Sequence, residues 1–438
     1  MRLASLIDVK LALALVLAST ACGSDPDRDP GGPDGGTDPI PEPGTPIVER
    51  PSRDTHACEV VDAPDEVAGD THGSAIAQVG DAPLVVRAGW GLVGDDDYRA
   101  ILAVTPASFS PMALGAEAYR TTAPDTLRLP ALAAAGDGAL LAWVAGDWNQ
   151  QLMLARLDAA GDIVGSAAPL ADADGAVSVA IASDEASSRV LWVDSALHVQ
   201  RVGSDGAPHG DAVTVRTAPM SGAALAPAAD GGTIVVWTEL QEEAGAYLAL
   251  LDGDGALTAG PLRVSGALPE FTFVDAPSVI TAGDELLVAW GEHYWREDID
   301  GDPGTWDPDG HAVIRVARVS GDGGRVLALE RLQANEDEII HIQPALTAID
   351  DGVVALSWSR GTFIPVCAGC VSDNTRRLLL LEPHDLVPLG AVVEMEGVTG
   401  FSTAAMIASA GHLVHLLGLD YHAISNVALA RTRCGPAS

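Results

Sequence analysis

The segment PALAAAGDGALLAWV (130–144) decides the fold of this chain, because closely similar segments return along it. Each runs from small residues through a Gly/Asp turn into an apolar stretch that ends near a tryptophan. A further apolar stretch follows, as in LMLARLD (152–158). Short apolar runs bounded by Gly, Asp and Pro are typical of β-hairpins. The repetition therefore predicts an all-β architecture in which one four-stranded unit recurs. Other clear instances are APAADGGTIVVWT (226–238), APSVITAGDELLVAWG (276–291) and PALTAIDDGVVALSW (344–358).

Seven repeats can be placed by one landmark residue near the end of the second strand. The landmarks lie 45 to 68 residues apart, and a four-stranded propeller blade needs about 40–50 residues, so the excess fits loop insertions. The large indole rings are expected to pack between neighbouring blades. We predict a seven-bladed β-propeller of four-stranded antiparallel blades, and two smaller β domains are the alternative. The landmarks are Trp90, Trp143, Trp192, Trp237, Trp290, Trp358 and Leu417.

The two ends of the repeat region complement each other. The seventh repeat stops after its third strand, at Cys434, and residues 58–62 form a spare strand before the first repeat. Pairing of these two strands would close the ring and leave no open edge, which resembles the closure of known β-propellers. We therefore predict a propeller over 56–434 with a Cys58–Cys434 disulfide. On the chain-entropy model this bridge constrains the unfolded chain by roughly 4–5 kcal/mol.

The N-terminus has the features of an export signal. Residues 11–18 are apolar but too short to span a bilayer. The segment STAC (19–22) resembles the bacterial lipobox, although that family usually has Leu at the position of Ser19. The resemblance implies a signal peptide over 1–21, a lipid on Cys22 and an outer-membrane location at the cell envelope. Residues 22–47 form a Pro/Gly/Asp-rich tether that cannot bury a core. An ordinary cleaved signal peptide with an unrelated cysteine is the alternative.

The charge balance limits the partners. The formal net charge is −37 at pH 7, so nothing here could neutralise the phosphates of nucleic acid or anionic lipid. The single lysine, Lys10, leaves with the signal, which excludes Schiff-base and P-loop lysines from the mature chain. We therefore expect the chain to contact the membrane only through its N-terminal lipid. We also expect the protein to be a monomer.

The binding face is predicted from loop length and aromatic placement. In a propeller, the connections between second and third strands share one face. The long insertions fall there, at 91–97, 291–312 and 359–377. The four ligand candidates suit stacking on sugar rings or cation–π contact, and the alternative is that their rings pin the long loops onto the blades. They are Trp148, Tyr294, Trp295 and Trp306.

Two loop motifs suggest structural roles. Alternating Asp and Gly over 298–309 resembles DxDxDG-type calcium loops, although Pro303 replaces the invariant Gly of an EF-hand. Structural calcium is the one cofactor we expect, and a solvated acidic loop is the alternative. Residues Cys367 and Cys370 are expected to form a short disulfide rather than a redox or zinc site. The calcium ligands would be Asp298, Asp300, Asp302, Asp307 and Asp309.

Motifs for catalysis are sparse. The chain has no GxSxG, HExxH or helix-opening GxGxxG sequence. The segment SGDGG (320–324) resembles a sialidase Asp-box but lacks its Thr-Trp end, and His415 is expected to be a core residue. We predict a binding or scaffolding module for glycan or protein. The alternatives are a carbohydrate-active enzyme, such as a glycoside hydrolase or polysaccharide lyase with carboxylates converging at the axis, and a purely structural envelope component.

Overall fold

The computed structural model describes most of the repeat region, and all described residues belong to the unit Glu42–Ser438. The predicted signal peptide, Cys22 and the tether lie outside the described residues. The described residues are 52–67, 70–80, 82–93, 97–109, 112–114, 117–123, 126–184, 187–240, 244–268, 272–294, 311–333, 339–350, 352–363, 371–395, 405–409, 412–421 and 424–437.

Every regular element in these ranges is a β-strand, and they contain no helix. Accordingly, no membrane-spanning helix is found among them. In chain order the strands are β1 (His56–Val67), β2 (Asp70–Val79), β3 (Ala82–Val93), β4 (Asp97–Phe109), β5 (Met112–Leu114), β6 (Tyr119–Ala123), β7 (Leu127–Ala135), β8 (Gly138–Ala145), β9 (Gln151–Leu157), β10 (Ile163–Asp172), β11 (Ser178–Ser183), β12 (Ser188–Val193), β13 (Leu197–Val202), β14 (Val213–Arg216), β15 (Met220–Pro227), β16 (Thr233–Glu239), β17 (Gly245–Leu251), β18 (Leu257–Arg263), β19 (Thr272–Val274), β20 (Ser278–Ala282), β21 (Glu285–Tyr294), β22 (His311–Ser320), β23 (Val326–Gln333), β24 (Ile339–Asp350), β25 (Val353–Phe363), β26 (Val371–Glu382), β27 (Val387–Pro388), β28 (Val393–Met395), β29 (Ala405–Ser409), β30 (His412–Tyr421) and β31 (Ile424–Pro436).

Within the described residues the strands form seven antiparallel sheets of four or five strands. This confirms the all-β fold built from four-stranded antiparallel units. A fifth strand arises where one strand of the unit is interrupted: β19 and β20 both pair with β21, with Pro277 between them. Proline has no N–H to donate to a ladder, so the strand breaks there. We number the sheets I (β2–β6), II (β7–β10), III (β11–β14), IV (β15–β18), V (β19–β23), VI (β24–β28) and VII (β29–β31 with β1).

The predicted tryptophans all lie on the second strand of their sheets. Trp237, Trp290 and Trp358 have no exposed surface, and Trp143 and Trp192 are 3% exposed. These second strands are covered on both faces, which explains why they appear in the sequence as continuous apolar runs rather than alternating patterns. Five landmark tryptophans are therefore core residues, and Trp90 is partly buried against the cluster shared by sheets I and II.

The apolar core is divided into clusters that each join two sheets. Six described clusters link sheets that follow each other along the chain. A further cluster packs Ile76 and Val85 of sheet I against Val414 and Leu429 of sheet VII. The first strands of sheets I and VII, β2 and β29, also contact each other. The first and last repeats are therefore packed together.

Hydroxyl groups on the first strands connect neighbouring sheets. The Ser178 hydroxyl donates to the Ala223 carbonyl at 3.2 Å, which joins sheets III and IV. The Thr347 hydroxyl donates to the Met406 carbonyl at 3.0 Å, which joins sheets VI and VII. A short polar side chain at a sheet-to-sheet contact adds hydrogen bonds without separating the backbones. The small residues of these strands therefore permit close packing.

The N-terminal strand pairs with the last strand of the chain, as the sequence predicted. β1 runs antiparallel to β31 with Cys58 directly opposite Cys434, and the two cysteines form a disulfide with their Cα atoms 4.1 Å apart. Both sulfur-bearing side chains pack against the cluster shared by sheets VI and VII. Sheet VII is therefore completed by a strand from the opposite end of the repeat region.

The long insertions are shorter than the sequence indicated, because strands continue into them. β3 extends to Val93, β21 to Tyr294 and β25 to Phe363. The connections that remain are 94–96, 295–310 and 364–370, which lie outside the described residues. Polar residues at the ends of long strands resemble loop residues when only composition is considered.

Candidate functional site

One predicted ligand residue is fully described, and it is exposed. Trp148 lies in the loop 146–150 between β8 and β9 and is 89% exposed. A side chain this exposed does not pin its loop onto the sheet beneath, so that alternative is wrong for Trp148. An apolar ring kept in water contributes little to folding and is available to a partner.

Polar contacts, rather than the indole ring, hold the loop in place. The Asp147 carboxylate accepts hydrogen bonds from the Thr126 hydroxyl and from the Thr126 backbone N–H at 3.0 Å. Gln150 donates its backbone N–H to Asp174 Oδ1 at 2.7 Å. Its Oε1 accepts from the Arg128 guanidinium at 2.5 Å. Because residues on both sides of Trp148 are anchored, the ring is presented without a large ordering cost on binding.

The base of the loop carries a partly buried positive charge. Burial lowers the pKa of Arg128, and the Asp147 carboxylate opposes that shift. Asp147, Arg128 and Gln150 thus place hydrogen-bonding groups beside an exposed aromatic ring. This combination suits a hydroxyl-rich ligand, which needs a flat apolar surface and polar groups that fix its orientation.

A second exposed aromatic ring lies at the corresponding end of sheet V. Phe273 is 39% exposed and packs tilted against its cross-strand partner His293, with ring centroids 5.8 Å apart. His293 Nε2 lies 3.1 Å from Asp275 Oδ2. Among the described residues, Trp148 and Phe273 are the aromatic members of the exposed large hydrophobic side chains. Trp148 lies in a connection between a second and a third strand, and Phe273 lies on β19 opposite His293, near the end of the second strand β21.

The other predicted ligand residues are largely outside the described part of the chain. Tyr294 ends β21, opposite His311 and Thr272, so it belongs to a strand rather than a loop, and its side chain is not among those described. The remaining predicted site residues fall outside the described residues: Trp295, Trp306, Asp298, Asp300, Asp302, Asp307, Asp309, Cys367 and Cys370. The described residues contain no metal-ligating cluster.

Two buried carboxylates, which the sequence motifs did not indicate, stand next to landmark tryptophans. Glu239 and Glu292 stand two residues after Trp237 and Trp290, and each accepts a hydrogen bond from its indole N–H at 2.8 Å. Arg216 of sheet III reaches across to Glu239 at 2.7 and 3.0 Å. These carboxylates are committed to ion pairs and to indole groups, which makes them architectural. A shared Trp-x-Glu pattern in the fourth and fifth repeats was the available signal.

The partner of Glu292 is buried as well. Arg315 Nε donates to Glu292 Oε2 at 3.0 Å, and the two side chains are 10% and 0% exposed. Because both charges have left water, this pair depends on its geometry far more than a surface ion pair does.

His415 is a core residue, as expected. It is 1% exposed, and its Nε2 lies 3.0 Å from the Thr432 hydroxyl. Burial, with a smaller contribution from the Arg376 charge, lowers its pKa to about 3. Arg376 is itself fully buried and donates to Ser357 Oγ at 2.9 Å and Ser359 Oγ at 3.0 Å. Burial lowers the pKa of Arg376 to about 9, so its guanidinium stays charged at neutral pH and opposes protonation of His415.

The pKa of His415 predicts an acid-sensitive contribution to stability. The folded pKa lies below the ordinary value of 6.5, so the unfolded chain binds the proton more readily and stability falls as the pH drops below 6.5. Between pH 6.5 and 5 we expect a loss of about 2 kcal/mol from this group. The free energy of unfolding, measured in urea, should therefore change between pH 6.5 and 5 by about 2 kcal/mol less in His415→Gln than in wild type. Equal pH dependence of the two proteins would contradict the assignment.

Comparison with known proteins shows resemblance at the level of structure. No protein-family model matches the chain, and no curated protein matches it. Many solved structures are similar, among them the following three. AofleA from Arthrobotrys oligospora has 13% identity and a TM-score of 0.43, with 78% of this chain and 90% of that chain covered. A neuraminidase-like protein of A/little yellow-shouldered bat/Guatemala/060/2010 has 10% identity and a TM-score of 0.40, covering 70% and 95%. The phage phi92 endosialidase has 6% identity and a TM-score of 0.43, covering 86% and 69%.

Proposed function

We propose that the seven sheets are the blades of a closed β-propeller. Three observations support this arrangement: the apolar clusters each join two sheets, one cluster joins sheet VII to sheet I, and β1 completes sheet VII. In a ring of this kind every sheet packs on two neighbours and no terminal sheet has an uncovered face. The contact between β2 and β29 fits the same arrangement.

We propose further that the chain is exported and tethered to the cell envelope through a lipid on Cys22. The Cys58–Cys434 disulfide is compatible with an oxidising compartment. Metabolic labelling with a fatty-acid analogue tests the tether. Label should enter the chain and be lost in Cys22→Ala, and unlabelled wild-type chain would contradict the proposal.

The propeller is proposed to act as a binding module for glycans, with Trp148 as a contact residue. The observation that carries this proposal is the 89% exposure of Trp148 on a loop anchored at both sides. Aromatic rings stack on the apolar faces of sugar rings, and the neighbouring Asp147 and Gln150 supply partners for hydroxyl groups. Binding through a pre-ordered ring avoids most of the ordering cost.

We expect Trp148→Ala to remove glycan binding while leaving the fold intact. A central tryptophan contact contributes about 2 kcal/mol or more, which corresponds to a loss of roughly 30-fold in affinity. Stability should change by less than about 0.5 kcal/mol, since the ring is in water. A polysaccharide and glycan array, probed in calcium and in chelator, measures binding, and thermal unfolding measures stability.

Leu257→Ala is the matched control, because Leu257 is also an exposed apolar side chain, at 51%, but lies on β18 away from the loop. It should bind as wild type does, and Trp148→Phe should retain part of the affinity. Equal binding by Trp148→Ala and wild type, or no glycan bound by wild type, would overturn the proposal. Release of product from the arrayed glycans would instead support the hydrolase or lyase alternative.

A further inference from the structure

A cavity of about 340 Å³ lies between sheets III and IV. It is formed where first and second strands connect, whereas the Trp148 loop connects a second strand to a third. Its wall from sheet III carries Asp184, Ser187, Arg189 and Arg201. Its wall from sheet IV consists of small residues at two turns, namely Ala228, Ala229 and Gly231 at one turn and Gly253 at the other. Most of the lining is therefore backbone and small side chains, with the charge concentrated on one side.

Two arginines face each other across adjacent strands at this cavity. Arg189 of β12 is the direct cross-strand partner of Arg201 of β13. Like charges directly opposite each other destabilise a sheet. Burial lowers the pKa of Arg189, the neighbouring charge of Arg201 lowers it further, and the carboxylates of Asp184, Asp252 and Asp254 oppose the shift. A pair that costs stability and lines a cavity is a reason to consider a ligand.

The structure holds the inner arginine in a fixed position. Arg189 is 4% exposed. One terminal nitrogen donates to Ser187 Oγ at 2.7 Å, and the other donates to the Gly253 carbonyl of sheet IV at 2.8 Å. These hydrogen-bond partners are neutral and orient the guanidinium, and the nearby carboxylates of Asp184, Asp252 and Asp254 favour its charged form. The guanidinium therefore keeps its charge beside the cavity.

The outer arginine is more accessible and only loosely paired. Arg201 is 38% exposed and lies 3.6 Å from a carboxylate oxygen of the 94% exposed Asp254. An ion pair this exposed contributes little. Arg201 can therefore turn from Asp254 towards a bound anion at small cost.

The charges at the cavity favour a single negative charge. Two guanidiniums and the Asp184 carboxylate line it, and the Asp252 and Asp254 carboxylates also lie near Arg189. A dianion such as phosphate would meet three carboxylates, and an ammonium group would meet two guanidiniums. Asp184 accepts a hydrogen bond from the Ser187 backbone N–H at 2.7 Å on one oxygen, and a carboxylate has further acceptor sites for ligand hydroxyls. A monocarboxylate that also carries hydroxyl groups fits best, because Asp184 and the turn carbonyls can accept from hydroxyls.

We propose that this cavity binds the carboxylate of an acidic sugar of the uronic acid class, with Arg189 and Arg201 as its anion-binding residues. The site does not depend on Trp148, and it gives the chain a second contact for a glycan. Charge-assisted hydrogen bonds from the two guanidiniums to the carboxylate oxygens hold the ligand. Its hydroxyls face the turns of sheet IV.

The test is a binding titration of the full-length chain with D-glucuronate, followed by saturation-transfer NMR and calorimetry. Binding should be saturable, weaken with added salt and be absent for the methyl ester of glucuronate and for glucose. Arg201→Gln should weaken it by about 10- to 100-fold, the value of one charge-assisted hydrogen bond. Arg201→Lys should retain part of the affinity.

Arg156→Gln is the matched control. Arg156 lies on β9, is 32% exposed and donates to the 89% exposed Asp137 at 2.8 Å, so it matches Arg201 in exposure and in having an exposed aspartate partner but does not line the cavity. It should bind glucuronate as wild type does, and so should Trp148→Ala. Absence of saturable binding, equal binding by Arg201→Gln, or tighter binding of inorganic phosphate or glutamate would each overturn the proposal.

Discussion

Replacing Glu292 by Gln should destabilise the protein by about 3–5 kcal/mol, as expected when one partner of a buried ion pair is removed. The carboxylate accepts the Trp290 indole N–H on one oxygen and the Arg315 guanidinium on the other. A Gln amide has a single acceptor oxygen, so its NH2 group would face one of these donors. Arg315 would also lose its carboxylate while remaining 10% exposed.

Glu239→Gln is the matched comparison and should cost less, about 1–2 kcal/mol. The Trp237 indole and Arg216 Nε both donate to Oε1 of Glu239, so one amide oxygen can keep both bonds, and only the bond from Arg216 Nη2 to Oε2 is lost. Arg216 is 36% exposed and can be solvated by water. Urea unfolding followed by tryptophan fluorescence measures both variants. A Glu239→Gln loss as large as that of Glu292→Gln would show that arginine burial is not the deciding factor.

The contrast between these two glutamates also shows what sequence could and could not predict. The repeating tryptophans and the apolar runs around them gave the second strands correctly, because a doubly covered strand has a distinctive composition. The Trp-x-Glu pattern is visible at 237–239 and 290–292. The sequence does not show that this glutamate forms an ion pair. Arg216 belongs to a different sheet from Glu239, and only the packing of sheets III and IV brings the two together.

The two candidate sites also differ in how far the sequence could predict them. Trp148 was predictable because a loop and an aromatic residue coincide within five positions of the chain. The Arg189–Arg201 cavity could not be predicted from the sequence, because its walls come from two different sheets. Strand ends were also misplaced: β21 continues to Tyr294, beyond the point where its apolar pattern stops. Backbone pairing extends a strand where side-chain composition no longer indicates one.

Loss of the Cys58–Cys434 disulfide should lower the free energy of unfolding by about 2–5 kcal/mol. The bridge joins residues separated by 376 positions, so it removes much of the freedom of the unfolded chain. It also lies near the end of the β1–β31 ladder, whose pairing shifts register between Val60 and Asp62 and again before Asp65. Without the bridge, this irregular ladder can open from the His56 end.

The Cys58→Ser, Cys434→Ser double variant tests this by thermal and urea unfolding, with reduced wild type alongside it. The matched control is Cys367→Ser, Cys370→Ser, because a bridge there would close a loop of only a few residues and constrain the unfolded chain little. β1 has further anchors: the Arg53 and His56 backbone N–H groups each donate at 2.9 Å to the carbonyls of Pro388 and Leu389. The variant should therefore remain folded and lose stability at β1 first, seen as faster amide exchange in β1 and β31 than in β8. Unchanged stability, or exchange that rises equally in all sheets, would contradict a clamp at the junction of the first and last strands.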